Sequence, residues 1–246
     1  MSQEQVAIQL PDGAADGILF RPDKSGRWPA VLHLTDVMGI RPATVGMAER
    51  LSALGYVVLQ PNIFFRTAKP PVFDFAPNFA DERTMKRFGE LAGPLTPAVQ
   101  ARDAGGYIDF LARRADVPPE RMGVVGYCFS GGYALRAAAA RSDRIVVAAS
   151  FHGGHLATDA PDSPHTVLPK VKARLYFGHA VDDRSMPPAM IEKLENALRA
   201  WGGRYESESY AGALHGWTVP GGPIYNEPQA ERHFTKLTEL LAATLK

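Results

Sequence analysis

Residues 126–132 read Gly-Tyr-Cys-Phe-Ser-Gly-Gly and join two stretches of different pattern. The run Arg-Met-Gly-Val-Val-Gly before them reads as a buried strand. The small-residue stretch 131–140 after them reads as a helix. A strand that turns this sharply into a helix matches the nucleophile elbow, usually written G-x-S-x-G. Positions two before and two after the nucleophile must be small, because the turn is tight and neighbouring chains come close. Gly126 and Ser130 fill those positions around Cys128, with Ser130 replacing the more usual glycine. Were Ser130 the nucleophile, its neighbour two before would be Cys128, and it would lie inside the first helical turn. Cys128 has the better geometry. A thiolate at a helix N-terminus is also favoured by the free backbone N–H groups and the dipole. The competing reading is a buried cysteine acting as a small hydrophobe.

Short apolar runs alternate with helical patterns along the chain, which predicts an α/β protein with a mostly parallel central sheet and helices on both faces. Residues 6–10 and 17–21 read as an opening hairpin around Pro11, Asp12 and Gly13. Strands are expected at 30–34, 56–60, 121–126, 145–151, 173–177 and 204–210. Helices are expected around Met47, Leu51 and Leu54, and over 99–113, 131–140, 188–200 and 229–245. No repeat or charged linker divides the chain, so residues 1–246 read as one domain. Residues 61–94 stand apart: six phenylalanines lie among several prolines with weak periodicity. Such a stretch reads as a lid or substrate-binding loop, or as a satellite core.

An elbow nucleophile needs an orienting carboxylate and then a base, in that chain order, at the ends of later strands. The strand 173–177 leads into Gly-His-Ala-Val-Asp-Asp-Arg-Ser-Met-Pro, which offers Asp182 and Asp183; Asp183 is favoured. The strand ending near Tyr210 leads into Ala-Leu-His-Gly-Trp, which offers His215 as the base. The oxyanion donors are expected to be the N–H of Phe129 and that of Val37, in the loop after the strand Ala-Val-Leu-His-Leu. His152 and His155 form an H-G-G-H pair, which alone is weak evidence for a metal, and no obvious third ligand lies near, so no metal site is expected. His233 is expected on the surface of the last helix.

Lys and Arg number 27 against 26 Asp and Glu, a net charge of +1 without a basic run; this argues against nucleic acid or an acidic membrane as partner. The single cysteine excludes an internal disulfide and fits a reducing compartment. The start, MSQEQVAIQLPDG, lacks a positive n-region and an apolar core, and no stretch has the roughly 18 consecutive apolar residues of a spanning helix. A cytoplasmic protein is the expectation.

Taken together, these segments resemble the dienelactone hydrolase family of the α/β-hydrolase fold over most of the chain. G-Y-C-F-S-G-G resembles the family's elbow, D-R-S-M-P its acid loop and A-L-H-G its histidine loop. The acid-loop match supports Asp183. T-D-V-M-G resembles the segment that carries a glutamate beside the cysteine. The resemblance implies that Asp36, one methylene shorter, modulates the nucleophile by keeping the resting thiol protonated. Family members that open dienelactone grip its carboxylate with two arginines. Here His215 is followed by Gly-Trp-Thr-Val-Pro without arginine, and Asp81-Glu82-Arg83 is followed by Thr84 and Met85, with Lys86 and Arg87 next. Arg87 and Trp217 are therefore the candidate substrate contacts, and Trp217 with Met85 points to a less acidic, more apolar substrate.

The expected function is hydrolysis of a small carboxylic ester or lactone through an acyl-enzyme on Cys128, with no cofactor. Two alternatives stand beside it: a broad esterase or thioesterase without lactone preference, and a hydrolase-fold binding protein with an inert cysteine.

Overall fold

A computed structural model describes residues 1–246. Its chain order is β1 (Ser2–Leu10), β2 (Gly13–Arg21), β3 (Ala30–Leu34), α1 (Pro42–Ala53), β4 (Val57–Pro61), α2 (Glu82–Ala92), α3 (Pro97–Ala112), β5 (Met122–Tyr127), α4 (Ser130–Ala140), β6 (Ile145–Phe151), β7 (Arg174–Ala180), α5 (Pro188–Trp201), β8 (Tyr205–Tyr210) and α6 (Glu227–Leu245). The strands form one eight-stranded sheet in the order β1-β2-β4-β3-β5-β6-β7-β8. The β1–β2 hairpin and the β2–β4 pair are antiparallel; every other pairing is parallel.

The central strands are apolar at nearly every position because both of their faces are covered. In β3, Leu32 and Leu34 enter one core while Val31 enters the other, and Val124 and Val125 of β5 split the same way. The larger core takes its helical residues mainly from α3, α4 and α5, including Tyr107, Leu111, Tyr133 and Leu194. The smaller core takes Met47 and Leu51 from α1, and Leu237, Leu240 and Leu241 from α6. Helices therefore cover both faces, and the architecture is that of the α/β-hydrolase fold. No helix is long and apolar enough to cross a membrane.

Parallel pairing brings the carboxyl ends of β3, β5, β6, β7 and β8 to one edge of the sheet, where open α/β sheets hold their ligands. The loops 35–41, 128–129, 152–163, 181–187 and 211–226 leave from that edge.

Several boundaries differ from the sequence expectation. The opening hairpin is longer at both ends, because the nine-residue ladder continues through polar residues on an exposed edge. Strand β7 runs on through His179 and Ala180. A 3-10 segment, Pro164–Lys170, has no counterpart in the sequence reading. Residues 61–94 contain a helix that weak periodicity concealed, α2, whose Thr84 and Leu91 are buried. Phe64, Val72, Phe73 and Leu91 belong to the main core, Phe65, Phe75 and Phe88 pack against it, and Phe79 is exposed. His233 is a core residue at 3% exposure, which corrects its expected surface position. It packs edge-on against Phe151 at 4.6 Å between ring centroids, because α6 turns this face onto the sheet.

Candidate active site

The elbow forms because Cys128 adopts φ +54°, a left-handed conformation that a side chain tolerates only when its surroundings fix it. The Cys128 N–H donates to Phe151 O at 3.1 Å, and Cys128 O accepts from Gly131 N at 3.0 Å. Gly126 has to be glycine: a Cβ there would collide with the Ser130 carbonyl. On the far side the crowding falls on Gly131, whose Cβ would run into Ser150 Oγ and Gly153 Cα. The small-residue requirement thus sits three residues past the cysteine, so serine at 130 is accommodated.

The other two loops meet this sulfur. His215 Nε2 lies 3.0 Å from Cys128 Sγ, and His215 Nδ1 lies 2.6 Å from Asp183 Oδ2. With the Nδ1 proton donated to the carboxylate, Nε2 is the nitrogen that shares a proton with the Cys128 sulfur. The side chain of Asp183 is 2% exposed, whereas Asp182 is exposed and its left-handed φ of +52° turns the chain between the two. The structure therefore brings Cys128, His215 and Asp183 together in one line and leaves Asp182 out of it.

Two further polar groups support the line: Ser185, absent from the site residues expected from sequence, and His152, weighed there only as a metal ligand. Ser185 N–H and Oγ–H donate to Asp183 Oδ1 at 2.8 and 2.6 Å, and Ser185 Oγ lies 3.1 Å from His215 Nδ1. An Asp followed two residues later by Ser is a turn signature that could have flagged it. His152, at φ +40°, pairs its Nε2 with Thr218 Oγ1 at 2.8 Å and sets its ring edge-on to His215 at 5.3 Å. No sequence spacing reveals that contact, because it joins loops from different strands. The H-G-G-H pair has separated: His152 is buried and His155 is exposed. The structure contains no group of three or more His, Cys, Asp or Glu side chains suited to a metal.

Electrostatics single out His215 among the histidines. Burial lowers its proton affinity, but the hydrogen bonds to Asp183 and Cys128 and their charges outweigh burial and raise its pKa to about 10. Burial instead pushes His33 and His179 down to about 4 and His233 to about 3, and holds His152 well below the usual range. Burial also works against the Asp183 carboxylate, yet the bonds from His215 and Ser185 leave its pKa lowered.

The N–H groups of Val37 and Phe129 make no intramolecular hydrogen bond, although Val37 is buried. The two free donors follow the ends of β3 and β5, which pair side by side in the sheet. Asp36, next to Val37, is held away from the expected thiol contact. Its carboxylate takes both arms of Arg41 at 2.6 and 2.7 Å and accepts Met38 N–H at 3.0 Å, while Cys128 Sγ pairs with His215.

The two candidate substrate contacts are engaged elsewhere. Trp217 is fully buried, packed on Tyr210 at 4.8 Å and His152 at 5.1 Å; its large apolar surface is drawn into the core rather than the cleft. Arg87 donates Nε–H to Val72 O and one arm to Glu90, each at 3.0 Å. A cavity of about 270 Å³ between α1 and α6, lined by Met47, Tyr127, Thr218 and His233, does not include Cys128.

An eight-stranded hydrolase sheet with a nucleophile-type elbow at its carboxyl edge defines the α/β-hydrolase class. The profile of the Dienelactone hydrolase family matches residues 15–245, and the chain belongs to that family and is a hydrolase of that kind. A Synechocystis protein provisionally named a carboxymethylenebutenolidase is 27% identical, over 94% of this chain and 92% of its own. A provisionally assigned dienelactone hydrolase of Klebsiella pneumoniae superposes with a TM-score of 0.87 at 20% identity, covering 98% of both chains. A dienelactone hydrolase of Anabaena variabilis superposes at 0.72 with 20% identity, over 100% of this chain and 99% of that one.

Proposed function

We propose that the protein hydrolyses small carboxylic esters or lactones through a thioester on Cys128. The observation that carries this reading is the Cys128–His215–Asp183 line, with Sγ 3.0 Å from one imidazole nitrogen and the carboxylate 2.6 Å from the other.

In the first half-reaction Sγ attacks the acyl carbon with its proton held on His215 Nε2. The carbonyl π pair moves onto oxygen, which accepts the N–H groups of Val37 and Phe129. Each such donor is worth about 3 kcal/mol in comparable sites. The tetrahedral adduct collapses, its C–O bond breaks, and the alkoxide leaves with the proton from Nε2. In the second half-reaction Nε2 takes a proton from water, the hydroxide adds to the thioester carbon, and the thiolate departs. It recovers the proton from Nε2 while the acid is released. Asp183 keeps Nδ1 protonated throughout and offsets the imidazolium charge. Asp36 keeps the loop carrying Val37 in place through Arg41 and Met38.

The test is hydrolysis of 4-nitrophenyl acetate by the wild type and by Cys128→Ala, each checked for an unchanged melting temperature. Loss of turnover in the variant alone supports the reading. Equal turnover in both, or none in the wild type across an ester, thioester and lactone panel, removes it.

A further inference from the structure

Aromatic rings pack around the residue after Cys128, and aliphatic side chains flank His215. Phe129, the residue after Cys128, sets its ring 6.3 Å from Phe64 and 6.0 Å from Phe88. A Cβ on Gly39, in the Val37 loop, would stand 3.1 Å from Val72 and 3.8 Å from Phe64, so segment 61–94 walls both the elbow and the oxyanion loop. Across the site, Leu214 precedes His215 and is 47% exposed. Ile224 lies against Gly216 and is 42% exposed. Six large hydrophobic side chains are exposed in the whole chain: Met1, Leu54, Phe79, Met85, Leu214 and Ile224. Leu214 and Ile224 flank His215, and Phe79 and Met85 lie in segment 61–94, whose Phe64 and Phe88 meet Phe129. Exposed apolar side chains gathered beside a reactive group mark where an apolar ligand part rests.

The arginines of segment 61–94 and of the Val37 loop are already paired, while Lys69, Lys86 and Arg184 are exposed and make no ion pair. Arg41 is bidentate to Asp36. Arg87 serves Val72 O and Glu90. Arg83 lies over the Phe75 ring at 3.8 Å with Asp74 at 3.7 Å. Lys86 is exposed and falls on the face of α2 opposite Thr84, Phe88 and Leu91. A substrate carboxylate resting on segments 61–94 and 211–226 loses hydration and meets no unpaired arginine there, an unfavourable exchange.

We propose that this site selects neutral esters with an apolar acyl chain and discriminates against esters that carry a carboxylate. The inference rests on the hydrolytic reading above. It separates this chain from its Synechocystis relative, whose name denotes a carboxyl-bearing lactone.

The test compares 4-nitrophenyl pentanoate with 4-nitrophenyl hemiglutarate, which have the same five-carbon acyl chain without and with a terminal carboxylate. The pentanoate is expected to have a kcat/KM about ten-fold higher or more, carried mainly by KM. Leu214→Lys, a change at an exposed position, should narrow that gap about three-fold or more. Equal or better use of the hemiglutarate by the wild type overturns the proposal. If Arg184→Ala then removes that preference, the exposed Arg184 beside Asp183 is the cation responsible. Alkylation of the single cysteine by N-propylmaleimide and N-(2-carboxyethyl)maleimide, each normalised to glutathione, reads the same preference without turnover. A slower anionic reagent with both esters inert keeps the selectivity and removes the hydrolytic reading. Equal normalised rates remove the selectivity.

Discussion

Asp183 accepts two hydrogen bonds from Ser185 on one carboxylate oxygen, at 2.8 Å from the backbone and 2.6 Å from the hydroxyl, and turns the other oxygen to His215. A buried carboxylate whose acceptor sites are filled this way has one orientation, and so does the imidazole it holds.

That relationship gives Ser185 a measurable positioning role. Ser185→Ala removes the hydroxyl but leaves the backbone donor, and is expected to lower kcat about ten-fold with KM nearly unchanged. Steady-state kinetics check this. A change confined to KM would make Ser185 a substrate contact instead.

The two adjacent acids should behave very differently. Asp183→Asn leaves the imidazole in the wrong tautomer and should reduce kcat on the order of 10³-fold or more. Asp182 is exposed at φ +52°, a conformation that asparagine adopts readily, so Asp182→Asn should stay within about two-fold of wild type. Assaying both variants with one ester decides it, and the reverse ranking would transfer the role to Asp182.

Asp36 carries a third outcome. If its charge acted on the thiol, Asp36→Ala would speed alkylation of Cys128 by disfavouring the thiolate less. Because Arg41 and Met38 N–H occupy the carboxylate, the expected result is an unchanged alkylation rate with kcat about ten-fold lower, as the Val37 donor loses its fixed place. Faster alkylation would restore the direct role.

Stability should fall on both sides of neutrality, for opposite reasons. Burial lowers the pKa of His33 and His179 to about 4 and of His233 to about 3, below the unfolded value of about 6.5. As pH drops below 6.5 the unfolded chain binds protons that the folded chain refuses. Each such histidine then costs about 1.4 kcal/mol per pH unit. His215 is raised to about 10, so its contribution is complete below 6.5 and is lost as pH climbs toward 10. In melting curves from pH 4 to 10, His233→Phe should flatten the acid limb and His215→Gln the alkaline limb. Unchanged limbs would mean that other groups govern them.

Much of the sheet was legible because most parallel strands carry short apolar runs, and the elbow because a tight turn forces glycine at 126. The order of cysteine, acid and histidine was legible for the same topological reason: each ends a strand at the same edge. What the sequence hid depends on long-range packing. The inward face of α2 shows only Thr84, Phe88 and Leu91 among prolines and phenylalanines, too short a pattern to count as a period. Trp217 and His233 look like surface or cleft residues until α6 and the loop after β8 fold over them. Arg41 and His152 have meaning only through partners that other segments supply.

The central claim is that acyl groups pass through the Cys128 sulfur. Rapid acid quench of the wild type mixed with 4-nitrophenyl acetate, followed by peptide mass spectrometry, tests it most directly. One acetyl group on the Cys128 peptide, formed and lost at rates matching turnover, is the expected result. Sustained ester hydrolysis with that peptide never acetylated would contradict the account.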